Sequence, residues 1–144
     1  LSTEYTLISS SNGMYTEKGS LFKSTSLPIK SFNEIKRIQG LLKKQFSDAS
    51  HLCYAYRLKS GDRLDEFSSD SGEPNGSAGI PILNVLKRKK LIDSAIIVVR
   101  YYGGKKLGIP GLIHAYGKAA EHSITAKKIR PWFKRVIIVL IFPF

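Results

Sequence analysis

The sequence predicts an α+β domain in which helices pack on a mixed β-sheet. Strand-like and helix-like segments follow one another in the order strand, helix, hairpin, helix, strand, helix, strand. The 144 residues and the apolar content of 42% suit one globular domain with a single core. Disorder of the whole chain is excluded, because the sequence carries enough apolar side chains to form that core.

The first half of the chain contains the first strand, the first helix and the hairpin. Residues 1–19 are polar and have little periodicity, which indicates a loosely held arm. Residues 20–29 alternate as a strand does. The capping box at residues 31–34 opens a helix, because a serine there is followed by a glutamate three positions later. Two strand-like runs, 52–58 and 63–67, flank a glycine-containing turn and predict a β-hairpin.

A second helix is predicted over residues 77–90. Ser77 is its candidate N-cap, because a serine hydroxyl can accept a hydrogen bond from a free N–H of the first turn. Ile80, Leu83 and Leu86 recur at helical spacing. We therefore expect these three side chains to face the core.

The last part of the chain predicts a buried strand, a third helix and a final strand. Residues 95–99 are apolar and mostly β-branched, which is typical of a central strand buried on both faces. Residues 111–124 return to helical spacing, and residues 136–142 form an unbroken strand-like run. The expected organisation is a polar arm at 1–19, one domain at 20–126, and a basic tail with a strand at 127–144.

Charge and cysteine content narrow the class of protein. The 23 Lys and Arg against 11 Asp and Glu give a formal net charge of +12, which favours RNA, DNA or an acidic protein as partner. A generally basic, soluble surface is the alternative. Cys53 is the single cysteine of the sequence, so an internal disulfide is excluded and a reducing cytoplasm is predicted. The apolar run at 136–142 is far shorter than the roughly 20 residues of a membrane span.

Two glycine-rich turns, at residues 69–79 and 100–111, each precede a helix-like run. The second turn is basic and contains four residues that could bind an anion or an RNA phosphate: Gly103, Gly104, Lys105 and Lys106. It lacks the spacing of a P-loop. A structural glycine turn with solvated lysines is the alternative.

Aromatic and basic residues alternate on the strands next to these turns. Such a mixture can stack bases while it contacts phosphates. The candidates for an aromatic-basic surface are Tyr54, Tyr56, Arg57, Arg100, Tyr101 and Tyr102. Half of these side chains would instead be core, because a strand buries every second residue.

The acidic turn supplies candidates for chemistry. Asp70 and Glu73 could bind a metal or act as acid and base, although the same residue types also make tight turns. His51 and Cys53 lie two positions apart on a strand and could form a base and nucleophile pair, but no residue is identifiable that would orient the histidine. A structural role is favoured for all four. The sequence predicts neither a metal site nor a cofactor.

Three segments, in this order, resemble motifs of the IMPACT/YigZ family: DASHLCYAYR at 48–57, SDSGEPNGSAGIPIL at 69–83 and VVRYYGGKKLG at 98–108. The resemblance covers residues 18–124. It implies a fold like the second domain of small-subunit ribosomal protein five. It also implies that residues 136–144 would open a ferredoxin-like second domain.

The resemblance also implies a link to translation. Eukaryotic members of the family regulate translation under stress by competing for the ribosome-associated activator of the initiation-factor-two kinase, whereas bacterial members have no settled activity. Ser71 follows Asp70 where the family usually has a second acid, so a carboxylate pair for a divalent cation is not predicted.

Two functions follow from these observations. The first is a non-catalytic binding module in translation regulation, which contacts RNA or a ribosome-associated protein through a basic surface; an acidic protein partner is a variant of it. The second is an enzyme that acts on a phosphorylated or anionic small molecule in a cleft between the Asp70/Glu73 turn and the Lys105/Lys106 turn. The second requires the two turns to lie on the same side of the domain.

Overall fold

A computed structural model describes residues 3–134 and 136–144. Residues 1, 2 and 135, which belong to the predicted arm and tail, lie outside the described residues. The centre of the fold is a five-stranded sheet in the order β2-β3-β6-β4-β5, and a two-stranded sheet pairs β1 with β7. The strands are β1 (Tyr5–Leu7), β2 (Ser11–Glu17), β3 (Ser20–Pro28), β4 (His51–Ser60), β5 (Arg63–Ser69), β6 (Ser94–Tyr101) and β7 (Ile129–Pro131).

All strand pairs of the five-stranded sheet are antiparallel, so the α+β class is confirmed but the sheet is not mixed. The reason is the position of β6. The chain crosses from β3 to β4 through helix α1 (Phe32–Gln45), so these two strands run parallel to each other. β6 then lies between them and pairs antiparallel with both.

The prediction of a loosely held arm at residues 1–19 is wrong, because this segment contains β1 and β2. β1 pairs with β7, and Leu7 is buried. β2 is an edge strand on which only one face is covered: Gly13 lies directly against the backbone of His122. An edge strand with one solvated face needs few apolar side chains, which explains why its sequence looks unstructured.

Helix α1 begins where the sequence predicts. The hydroxyl of its N-cap, Ser31, accepts a hydrogen bond from the backbone N–H of Glu34 at 3.3 Å, and the Glu34 carboxylate accepts one from the N–H of Lys30 at 2.9 Å. α1 covers one face of the sheet with Ile35 buried beneath it. The serine cap is therefore confirmed as the start of this helix, while the glutamate binds one residue before the N–H that a capping box uses.

Helix α2 (Gly79–Arg88) begins two residues later than predicted, and Ser77 does not cap it. The Ser77 hydroxyl donates instead to the carbonyl oxygen of Pro74. Leu83 and Leu86 are buried as predicted, but 46% of Ile80 is exposed. Apolar residues lie on several sides of this helix, so their spacing alone does not determine which side faces the sheet.

Helix α3 (Gly108–His122) lies beside α2 on the face of the sheet opposite α1. β6 is buried on both faces, as predicted: Ile96 and Val98 contribute to the core under α2 and α3, and Ile97 and Val99 to the core under α1. None of the helices in the described part of the chain has both the length and the apolar character of a membrane span.

The predicted final strand is not formed in the structure. Residues 136–144 have no regular secondary structure, and the large apolar side chains of residues 136–142 are at least 71% exposed. A strand needs a neighbouring strand for its hydrogen bonds, and none lies beside this segment in the described part of the chain. Whether it belongs to a further domain stays a prediction.

Candidate functional site

The acidic and basic glycine turns meet at one end of the five-stranded sheet. Arg100, near the end of β6, donates from Nη1 to both carboxylate oxygens of Glu73, at 2.8 and 2.9 Å. Glu73 belongs to the turn between β5 and α2. The requirement of the enzyme hypothesis, that both turns lie on the same side, is therefore met.

The pair of Arg100 and Glu73 is buried. Only 7% of the Arg100 side chain and 3% of the Glu73 side chain are exposed. Arg100 also donates from Nη2 to the Ser20 hydroxyl at 3.3 Å, and its guanidinium lies over the rings of Phe22 and Tyr102 at 5.7 and 5.4 Å. Its positive charge is thus compensated inside the domain, so the prediction that Arg100 lies on an exposed surface is wrong.

The burial of Arg100 follows from the alternation of β6. Arg100 continues the positions of Ile96 and Val98, which face α2 and α3. A guanidinium at such a position needs a carboxylate partner, because an unpaired buried charge is very costly. Glu73 supplies that carboxylate from the neighbouring turn.

His51 joins the same cluster at the start of β4. Its Nε2 lies 2.8 Å from a carboxylate oxygen of Glu73, and its Nδ1 lies 2.8 Å from the carbonyl oxygen of Ser71. Both partners are acceptors, so only a ring that carries protons on both nitrogens donates to both of them. His51 thereby connects the acidic turn to the sheet.

Cys53 is not an activated nucleophile. It is buried, and its thiol donates to the carbonyl oxygen of Asp70 at 3.0 Å. Burial raises the pKa of this thiol to about 12, so almost no thiolate is present near neutral pH. Burial likewise raises the pKa of the neighbouring Tyr116 hydroxyl. The hypothesis of a His51 and Cys53 pair for nucleophilic catalysis is therefore wrong.

Asp70 stabilises the acidic turn and caps helix α2. Its carboxylate accepts hydrogen bonds from the backbone N–H groups of Gly76, Ala78 and Gly79, at 2.9, 3.1 and 2.8 Å. Burial acts to raise the pKa of Asp70, but these three hydrogen bonds outweigh it and hold the pKa below its usual range. Within residues 3–134 and 136–144, no group of three potential ligands could hold a metal ion.

The basic turn between β6 and α3 is built on a close approach of two glycines. A side chain on Gly103 would overlap the carbonyl carbon of Gly19 in the β2–β3 turn. The N–H of Gly103 donates to the Ser20 hydroxyl at 3.2 Å, and Gly104 has a φ of +86° that favours glycine. These contacts bring the β2–β3 turn, which contains Lys18, next to the basic turn.

Three lysines therefore lie along one edge of the domain. Lys18, Lys105 and Lys106 are exposed, and none forms an ion pair with another residue that the structure describes. Tyr102 lies beside them with 51% of its surface exposed. We call Lys18, Tyr102, Lys105 and Lys106 the basic edge.

Three members of the predicted aromatic-basic surface lie elsewhere. Tyr101 projects to the α1 side of the sheet, where its hydroxyl donates to Asp48 at 3.2 Å. Tyr54 and Tyr56 point to that side too, and both pack against Phe67. Adjacent residues of a strand face opposite sides, which separates Tyr101 from Arg100.

Arg57 lies at the opposite end of β4 from this site. On β6, Arg57 pairs with Ser94, whereas His51 pairs with Arg100. Six residues of strand separate the two pairs, which is about 20 Å. Arg57 donates to Glu66 at 2.8 Å and to the carbonyl oxygen of Leu91 at 3.2 Å. The prediction that Arg57 shares one aromatic-basic surface with Arg100, Tyr101 and Tyr102 is therefore wrong.

Comparison with known proteins gives one consistent result. Residues 18–124 match the family model of the Impact N-terminal domain. IMPACT family member YvyE of Bacillus subtilis is 46% identical over 83 residues, which cover 58% of this chain and 38% of that protein. Protein IMPACT of Rattus norvegicus is 25% identical over 95 residues, which cover 65% of this chain and 30% of that protein.

A solved structure described as that of a hypothetical protein has the same fold. It superimposes with a TM-score of 0.79 at 27% sequence identity, over 92% of this chain and 64% of that one. The matched stretch spans between 30% and 51% of the length of the curated relatives. The family model matches the same residues, 18–124, that carry the resemblance to the IMPACT/YigZ family.

Proposed function

The chain belongs to the IMPACT family through its Impact N-terminal domain, and we propose that it is a non-catalytic binding module in translation regulation. In this proposal the domain acts in the cytoplasm and contacts RNA through the basic edge. Membership of the family supports the link to translation, because its eukaryotic members compete for a ribosome-associated activator.

One observation carries the RNA contact. Lys105 and Lys106 are exposed beyond the end of β6, while in the facing turn Glu73 already pairs with the Arg100 guanidinium and Asp70 accepts three backbone N–H groups. The acidic turn therefore does not cancel the charge of the lysines. Tyr102 adds an exposed ring beside them, and a ring next to ammonium groups suits a single-stranded nucleic acid.

Fluorescence anisotropy with labelled single-stranded and structured RNA over a salt series tests the proposal. Lys105→Glu with Lys106→Glu should weaken binding at least tenfold. It should also reduce the slope of log K against log salt by about 1.4, since two phosphate contacts of a single strand are lost. Lys36→Glu with Arg37→Glu is the matched control, because these residues are exposed on α1 and give the same change in net charge.

Two results would contradict the proposal. Equal losses of affinity in both double variants would show a general charge effect rather than a contact at the basic edge. No RNA binding at low salt would favour a ribosome-associated or other acidic protein as the partner of this surface.

A second candidate function is supported by the meeting of the two glycine turns at Arg100 and Glu73. In this alternative the basic edge holds the anionic group of a small-molecule substrate. The two acids predicted for catalysis already have partners in the domain. Asp70 accepts hydrogen bonds from backbone N–H groups, and Glu73 contacts Arg100 and His51. Pyrophosphate should then raise the melting temperature of the chain but not that of the Lys105→Glu, Lys106→Glu variant.

A further inference from the structure

Helices α2 and α3 form a groove on the surface of the domain. β5 and β6 both run antiparallel to β4, so the helices that follow them run parallel to each other. Arg88 and Glu121, near the two C-termini, form an ion pair at 2.8 Å across the groove. The groove has a volume of about 200 Å³ and is lined by residues that include Pro81, Asn84, Ile113 and Gly117.

Three isoleucines are exposed on the N-terminal halves of these helices. Ile80 of α2 is 46% exposed, and Ile109 and Ile113 of α3 are 52% and 43% exposed. Ile109 and Ile113 are four residues apart, so they lie on the same side of α3. Ile113 lines the groove, whereas Ile80 precedes the lining residue Pro81 and Ile109 lies one turn before Ile113. Exposed apolar side chains beside a polar rim are typical of a protein-binding surface.

Gly117 keeps the groove open in its middle. It lies in the interior of α3, where a glycine makes a helix less stable than an alanine does. A side chain at this position would meet no atom within 4 Å, so packing within this domain does not require the glycine. Because Gly117 lines the groove, an alanine would instead take up part of its open space.

Both ends of the groove are basic. Lys105 and Lys106 precede the N-terminus of α3, and Arg88 and Lys118 lie toward the C-terminal ends of the two helices. Glu121 also lines the groove and pairs with Arg88 at 2.8 Å and Lys118 at 3.8 Å, so these three side chains leave one net positive charge at this end. A partner that is apolar in the middle and acidic on both sides complements this surface.

We propose that the groove between α2 and α3 binds an acidic amphipathic helix of a protein partner. The apolar face of that helix covers Ile80, Ile109 and Ile113, and its flanking carboxylates face the lysines and arginine of the rim. α2 has 10 residues and is about 15 Å long, which matches about three turns of a bound helix. This surface shares Lys105 and Lys106 with the basic edge but not Tyr102, so binding of the Glu peptide without RNA binding, or of RNA without the Glu peptide, would separate the two proposals.

Nuclear magnetic resonance titration of the isotope-labelled chain tests this proposal with two synthetic 14-residue peptides. Both carry leucines at the same helical spacing, and their remaining positions are mostly Glu in one and mostly Lys in the other. The Glu peptide should shift the amide signals of residues 80–88 and 109–121, and the Lys peptide should not. Ile80→Ser with Ile113→Ser should weaken binding of the Glu peptide at least tenfold.

Ile8→Ser with Leu41→Ser is the control for lost apolar surface. Both residues are 55% exposed and lie outside the groove, so this variant should bind the Glu peptide as the parent does. All four substituted side chains are substantially exposed, and the amide spectrum of each variant shows directly whether the fold is kept.

Several results would overturn the proposal. These are the absence of shifts in α2 and α3 at millimolar Glu peptide, equal binding of the Lys peptide, or equal weakening by the control variant. Self-association through the same residues, seen as shifts that depend on chain concentration without peptide, would show that a second copy covers the groove. RNA that shifts the Ile80 and Ile113 signals would place nucleic acid there instead.

Discussion

Replacing Glu73 by glutamine should strongly destabilise the domain. The substitution preserves the shape of the side chain but removes the charge that faces Arg100 and His51. Arg100 would remain buried without a counter-charge, because its position on β6 leaves only 7% of its side chain exposed. Breaking one side of a buried ion pair costs about 3–5 kcal/mol.

This loss is large compared with the total stability of a small domain, which is about 5–15 kcal/mol. Urea denaturation followed by circular dichroism measures it directly. With a slope of about 1.5 kcal/mol per molar urea, a loss of 3 kcal/mol moves the midpoint by about 2 M. We expect the slope to be unchanged, since the same surface becomes exposed on unfolding.

Glu121→Gln is the matched control. Glu121 pairs with Arg88 at the same 2.8 Å, but the side chains are 37% and 58% exposed, so solvent screens the pair and the loss should be below about 1 kcal/mol. Equal midpoints for Glu73→Gln and Glu121→Gln would refute the argument that burial makes the first pair important. Adding Arg100→Met to Glu73→Met should recover part of the stability, because no uncompensated guanidinium remains.

Three further outcomes are expected. Asp70→Asn should lower the free energy of unfolding by about 1–3 kcal/mol at pH 7. Folding lowers the pKa of Asp70, so the Asp70 carboxylate stabilises the fold above about pH 4, and this contribution is lost as the pH falls through the folded-state pKa. The free energies of unfolding of the parent and of Asp70→Asn should therefore converge in acid. Cys53, whose pKa is raised to about 12, should react with iodoacetamide at pH 8 far more slowly in the folded chain than in urea; equal rates would show that the thiol is accessible. Gly117→Ala and Gly40→Ala should each raise the free energy of unfolding by about 0.5–1 kcal/mol, since neither position has an atom within 4 Å of the added methyl group, and a loss at Gly117 alone would mean that α3 cannot accept a side chain there.

Local patterns predicted the elements whose signals are short in range. The capping box at Ser31 identified the start of α1, because the hydroxyl and the N–H that it binds are only three residues apart. The apolar run at 95–99 identified the central strand for a similar reason, since burial on both faces leaves no polar positions. β2 was missed, because an edge strand pairs through its backbone and its side chains carry little signal.

The polar cluster at the site could be predicted only in part. Arg100 lies two and four positions after the inward-facing Val98 and Ile96, and this alternation could have identified it as a buried cation. The acid that pairs with it, Glu73, lies 27 residues earlier in the chain. Such a partner is set by the packing of two turns, which no local period encodes. The same holds for Gly103, whose contact with Gly19 comes from a different hairpin.

The insertion of β6 between β3 and β4 has a consequence for how the protein is made. During synthesis the chain emerges from its N-terminus, so β3 and β4 leave the ribosome before the strand that joins them. Until Ser94–Tyr101 emerges, the two strands have no common neighbour, and their backbone edges stay open to pairing with other chains. Nascent chains stopped before residue 94 should therefore remain sensitive to protease and bind chaperones. Those that include α3 should become resistant in one step.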